Sequence, residues 1–149
     1  MLLRVLDRGT AALAAEMLGG MTAAFEMTLD YLKTRRQFGV PIGSFQALKH
    51  RAAKMFVELE LARSAVMHAA RTIDEGRDDR TVARAVSVAK ARVSDAFVLI
   101  GNEAVQMHGG IGMTDEHDVG FFLKRARAAE MTFGDAAWHR ARFASLERY

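Results

Sequence analysis

The residues best suited to chemistry fall in two short stretches, TRRQFGVPIGSFQ (Thr34–Gln46) and QMHGGIGMTDEHD (Gln106–Asp118). Arg35 stands at the end of a helical run, where its planar fork can grip a diphosphate through two parallel hydrogen bonds. An arginine at a helix end also complements the macrodipole, so the residue by itself leaves both roles open. Gly109, Gly110 and Gly112 bare their backbone, and N–H groups presented in this way can point at an anion. The same glycines equally serve as a helix C-cap followed by a tight turn. Phe38 and Phe45 flank the chain's only proline, Pro41, and read as core staples rather than as stacking partners for a ring.

Other chemistries lack their residues. There is no cysteine, which removes disulfides and thiolate catalysis. The histidines are His50, His68, His108, His117 and His139, and none has a glutamate three residues before it. The ligand spacing of a di-metal bundle is therefore missing, and no metal site is expected. Neither a nucleophile elbow nor a P-loop occurs. Net charge is +3 with a pI near 9.6, and the arginines are dispersed rather than interleaved with exposed aromatics. That balance suits an anionic small molecule and argues against nucleic acid. No apolar run approaches the roughly 20 residues that span a bilayer. Charges at Arg4, Asp7 and Arg8 break any signal-peptide core, so the expected location is cytoplasmic, with no membrane partner.

The elements that must position these stretches are helical. In 149 residues, half of them hydrophobic and 26% charged, one domain with one core is expected. Leu13, Met17, Met21, Ala24, Phe25, Leu29 and Leu32 recur in steps of three and four, predicting a helix from Leu3 to about Arg36. Gly19-Gly20 inside it costs about 1 kcal/mol per glycine and implies a helix crossing closely there. Ser44 reads as the N-cap of a second helix, with Phe45, Leu48, Ala52, Met55, Phe56, Leu59, Ala62, Val66 and Ala69 on one stripe. The turn DEGRDD (Asp74–Asp79) ends it. A third helix runs from about Arg80 to Met107, stopped by HGGIG, and Glu116–Tyr149 is helical again with a break at Phe133-Gly134-Asp135. The predicted fold is all-α, an antiparallel four-helix bundle.

Together the two corners carry a resemblance. YLKTRRQFGVPIGSFQALKHRAA (Tyr31–Ala53) and QMHGGIGMTDEHD, at this separation, resemble the C-terminal helical domain of the acyl-CoA dehydrogenases, over essentially the whole chain. The resemblance implies an FAD-dependent enzyme that dehydrogenates acyl-CoA thioesters between the α and β carbons and passes electrons to a transfer acceptor. It implies a homo-oligomer, dimer or tetramer, or a heteromer with a related subunit, with the flavin's ADP half at a subunit interface. By similarity Arg35 would contact the pyrophosphate of a neighbouring subunit's FAD. Gln37 and Phe38 would line that groove, and Gln46 would approach the adenosine end. Gln106, Gly109 and Gly110 would meet the ADP moiety from the other chain.

The catalytic base departs from the family pattern. Many members carry a glutamate just before the glycine of the last helical segment, where this chain has Phe133 before Gly134. Others carry it near the start of the first helix, where Gly9 stands closest. Neither residue accepts a proton. Among Asp135, Glu130 and Glu16, Asp135 is the preferred candidate because it flanks the Gly134 break; its alternative role is to cap the final helix, with Ala136 as first residue. A further alternative is a non-catalytic partner whose heteromeric companion supplies the base. The family's N-terminal helical and middle β domains are expected to lie outside residues 1–149, so this chain is expected not to dehydrogenate an acyl-CoA unaided.

Overall fold

A computed structural model describes residues 2–149. Its long helices are α1 (Leu2–Thr34), α2 (Gln46–Asp74) and α3 (Asp79–His108), followed by α4 (Val119–Met131) and α5 (Ala136–Glu147). α3 is the central element and touches the other four helices. Its composition explains that place: Ala85, Ala89, Ala96 and Ala104 are buried beside Val86, Val93, Phe97 and Ile100, and small side chains let neighbours approach from several sides. Asp78 starts α3 by accepting the Thr81 N–H at 3.0 Å, a side-chain N-cap. α4 and α5 together run antiparallel along α3, since Lys90 meets Glu130 while Ser87 meets Arg142. The four-helix bundle thus stands, with its fourth member broken at residues 132–135.

Packing decides the roles of the central glycines. A Cβ at Gly20 would lie 2.7 Å from the Phe97 ring, so α1 and α3 cross where the sequence implied. A Cβ at Gly19 would meet nothing within 4 Å, and that glycine has no packing reason.

Three local expectations are corrected. α2 starts one residue later than a Ser44 cap requires: Phe45 is the capping residue without a side-chain bond, and Ser44 lies in a 3-10 turn (Ile42–Ser44) donating to the Pro41 carbonyl at 2.8 Å. Between α1 and α2 the chain forms a small hairpin, β1 (Arg36–Gln37) against β2 (Val40–Pro41), with Phe38 at φ 54° and Gly39 at φ 79° at its tip. Phe38 is therefore no core staple; it is 91% exposed and meets the half-exposed Phe45 edge-on at 6.1 Å. On the α2 stripe Met55, Leu59, Ala62, Val66 and Ala69 are buried, but Phe56 is exposed beside Val57 and Leu61. Among the described residues no helix is long and apolar enough to cross a membrane.

Candidate functional site

The two chemically suggestive corners share one end of the bundle. α1 and α3 end side by side, and Tyr31 of α1 stacks on His108 of α3 at 4.4 Å, with His117 4.4 Å beyond. His108 is buried. A carbonyl only accepts, so its Nδ1 donates to Ala104 at 2.7 Å and its Nε2 carries a lone pair without a partner among the described residues. Burial holds the His108 imidazole below its ordinary pKa, with His117 adding to the depression.

The groups around this stack face outward. Arg35, Gln37, Phe38, Gln46, Gln106, Gly109 and Gly110 are all exposed. Arg36 bonds the hairpin tip through Gly39 O at 3.2 Å, while the guanidinium of Arg35 has no carboxylate partner among the described residues. Gly109 terminates α3 at φ 65°, a conformation that glycine adopts without strain. Added Cβ atoms at Gly109 and Gly110 would meet nothing within 4 Å, so open space lies before this bare backbone. A guanidinium and side-chain amides beside an uncovered turn form a donor set suited to a diphosphate, although the Gly109 N–H itself is engaged by the Gln106 carbonyl.

The opposite end holds a groove of about 900 Å³ between the start of α1, the start of α3 and the α4–α5 corner. Leu3, Leu6, Phe133 and Trp138 make its apolar wall, and Asp7 and Arg142 meet at its floor. Arg142 grips Asp7 with both terminal nitrogens, at 2.5 and 3.0 Å. The Phe133 ring lies over Gly9, 3.5 Å from where a Cβ would stand. The two positions at which the resemblance expects a glutamate are thus neighbours in space, and a ring packed on a bare backbone fills them.

The corner between α4 and α5 is held from below. Lys90 is fully buried, and its ammonium donates to Ser94 Oγ at 3.1 Å, Glu130 O at 3.0 Å and Gly134 O at 2.8 Å. Burial pulls the Lys90 pKa down against the pull of Glu130 and Asp135. His139, also buried, donates Nε2–H to Phe133 O at 3.1 Å. Desolvation pushes its pKa down to about 4; the bond to Phe133 O opposes this, and the nearby cations Lys90 and Arg142 reinforce it.

Each of the three candidate carboxylates has a partner, Asp135 through one oxygen only. Asp135 caps α5 through Oδ1, accepting the Trp138 N–H at 2.8 Å, the alternative role that the sequence left open. Glu16 forms a forked pair with Arg125 at 2.6 and 2.7 Å, which holds its carboxyl below the usual range. Glu130 accepts from Arg127 at 3.2 Å.

Sequence reasoning passed over Lys90, His139 and the Asp7–Arg142 pair. For Lys90 a signal existed: it lies four residues after Val86 and three before Val93, on a buried face. Nothing local announces that Asp7 will find Arg142, 135 positions away.

Comparison with known proteins agrees with this architecture. Residues 1–145 match the family model described as acyl-CoA dehydrogenase, C-terminal domain. The chain is 41% identical over 130 residues to the acyl-CoA dehydrogenase IpdE2 of Mycolicibacterium smegmatis, covering 86% of this chain and 39% of that protein. It is 34% identical over 122 residues to the mitochondrial short/branched chain specific acyl-CoA dehydrogenase of Bos taurus, covering 82% and 28%. Butyryl-CoA dehydrogenase from Megasphaera elsdenii superposes with a TM-score of 0.92 at 30% identity, over 99% of this chain and 38% of that one. The chain therefore spans about two fifths or less of the length of these relatives.

Proposed function

Because the chain belongs to the acyl-CoA dehydrogenase family and folds as its C-terminal domain, we propose that it works within an FAD-dependent assembly that dehydrogenates acyl-CoA thioesters. In this reading the domain supplies nucleotide contacts at one end and a wall of the acyl groove at the other. The groove's apolar lining suits an acyl chain, and when bound the flavin supplies the hydride-accepting chemistry. This chain's residues bind and orient.

The observation that carries the reading is the distance between its two ends. Gly9 and Thr34 lie 25 positions apart on one continuous helix, with Arg35 directly after it, which at 1.5 Å per residue separates corner and groove by roughly 40 Å. One dinucleotide cannot serve both ends of a single chain. The corner of Arg35, Gln37, Phe38, Gln46, Gln106, Gly109 and Gly110 is thus proposed to hold the ADP half of a flavin seated in a neighbouring subunit. Exposed Phe56, Val57 and Leu61 on α2 support self-association or pairing with a related subunit. An electron-transfer acceptor and a cytoplasmic location complete the proposal, and the isolated domain is proposed to be inactive.

In the assembled oligomer, Arg35→Ala and Gln106→Ala are each expected to weaken flavin retention. The arginine change should do so by about tenfold or more, since it removes a charge-assisted contact. Flavin absorbance after gel filtration reads this directly, and unchanged flavin content in both variants would remove the nucleotide role.

Asp135 is proposed as the acceptor of the α-proton through Oδ2, the oxygen that its cap leaves without a partner among the described residues. Asn is as good a cap as Asp but is no base. Asp135→Asn is therefore expected to lower kcat of the assembled enzyme by about a hundredfold at an unchanged Tm. A second reading has its own support in the Phe133–Gly9 contact, where neither family position offers a base: the domain is a non-catalytic subunit whose partner supplies the carboxylate. An Asp135→Asn enzyme with full turnover selects it.

A further inference from the structure

Phe133 sits at φ 60°, in the left-handed region, followed by Gly134 at φ 96°. A bulky non-glycine residue held there costs about 1–2 kcal/mol, so its surroundings must impose the conformation. The corner also interrupts a helix, leaving carbonyls at the end of α4 that need donors. Both demands are met by buried side chains from outside the corner: Lys90 on α3 takes Glu130 O and Gly134 O, and His139 on α5 takes Phe133 O. All three ammonium protons are used, the third by Ser94. What the corner presents to the groove is the side chain of residue 133, lying over Gly9.

We infer that Lys90 and His139 are positioning residues: a two-point clamp on the carbonyls of residues 130–134 that fixes where side chain 133 enters the acyl groove. An ammonium suits this task because one atom can donate in three directions, and a cation beside the last carbonyls of α4 also complements that helix's negative end. A neutral residue of equal volume would fill the space and release the corner. The inference rests on the acyl-groove reading for the use it assigns to the corner, but the clamp itself needs no ligand to be seen.

Two features make the clamp measurable in the full chain. Trp138 is the only tryptophan, and its ring lies so close to the corner that a Cβ at Gly134 would be 2.7 Å from it. The chain contains no cysteine, so Lys90→Cys introduces a unique thiol. Unfolded in denaturant, that thiol can be alkylated with 2-bromoethylamine, in which the thiolate displaces bromide and rebuilds a lysine-like ammonium. Alkylation with 1-bromopropane makes the uncharged isostere.

After refolding, the propyl adduct is expected to exchange its amide hydrogens at residues 132–139 about tenfold or more faster than the wild type, relative to α2, with shifted Trp138 emission. The aminoethyl adduct should restore both readouts. A propyl adduct that protects the corner as well as the aminoethyl adduct would overturn the clamp, because volume alone would then suffice. Should the Lys90 variants fail to refold, the second point still decides. His139→Gln keeps a donor for Phe133 O and should leave corner exchange near wild type, whereas His139→Phe should raise it. Equal exchange in these two variants also overturns the inference. Unchanged flavin retention in the Arg35→Ala and Gln106→Ala enzymes, with an intact corner, would instead count against the dehydrogenase reading and leave the clamp standing.

Discussion

Arg142→Leu is expected to lower the unfolding free energy of the domain by about 3–5 kcal/mol, a fall of roughly 10 °C in Tm for a chain of this size. The change strands Asp7, which is 5% exposed and whose two oxygens both receive protons from Arg142. A carboxylate left buried without its partner keeps its desolvation penalty and loses the attraction that offset it. Position matters more than the presence of an ion pair. Arg4 and Asp79 approach to 2.9 Å, but their side chains are 62% and 67% exposed, and such a pair contributes at most about 1 kcal/mol. The contrast supplies the control: Arg4→Leu should move Tm by a small fraction of what Arg142→Leu does. Replacing both members, Asp7→Leu with Arg142→Met, should recover much of the loss, because an apolar pair leaves no stranded charge. Thermal melts of the four proteins test the account, and an Arg142→Leu domain as stable as the wild type would refute it.

Lowering the pH should destabilise the domain through His139 by about 3 kcal/mol between pH 6.5 and pH 4. The imidazole is buried neutral, its Nε2–H bound to Phe133 O, and charging it means charging a site that burial disfavours and that already faces Lys90 and Arg142, with Asp7 as the opposing charge. Its folded pKa of about 4 lies below the unfolded value, so between the two the unfolded chain binds the proton and the folded one does not. The stabilisation is complete above pH 6.5 and disappears as pH falls toward 4. His139→Gln keeps a donor for the carbonyl and does not titrate. The difference in stability between wild type and variant, followed from pH 7 to 4, should change across that window and be flat above it. A constant difference would mean that the imidazole titrates normally in the folded state. The same acid step threatens the groove, since His139 is one of the two side chains that hold the corner.

Helix existence was legible because burial repeats every three to four residues along α1, α2 and α3, and each predicted core position from Leu13 to Leu32 and from Val86 to Ala104 is buried or packed against the core. The corners were legible because proline and glycine interrupt that period. What periodicity cannot tell is which apolar face finds a neighbour. Phe56 fits the α2 stripe yet lies exposed, and Phe38 stands exposed at a hairpin tip, edge-on to Phe45. Buried polar residues were illegible for a related reason. A lysine or an aspartate is placed in a core only by partners remote in sequence, as Asp7 is by Arg142 and Lys90 by the carbonyls of Glu130 and Gly134.

By itself, then, the order of residues determined an all-helical chain, its interruptions and the family that two of those corners match, since all of these rest on local spacing and backbone preference. Only the tertiary structure decided that the candidate nucleotide corner and the groove lie at opposite ends of α1. It also decided that Phe133 covers Gly9 and that a buried ammonium and a buried neutral imidazole hold the corner beneath them. Those facts depend on which distant segments come together, and low-dielectric pairing between them has no signature in neighbouring residues.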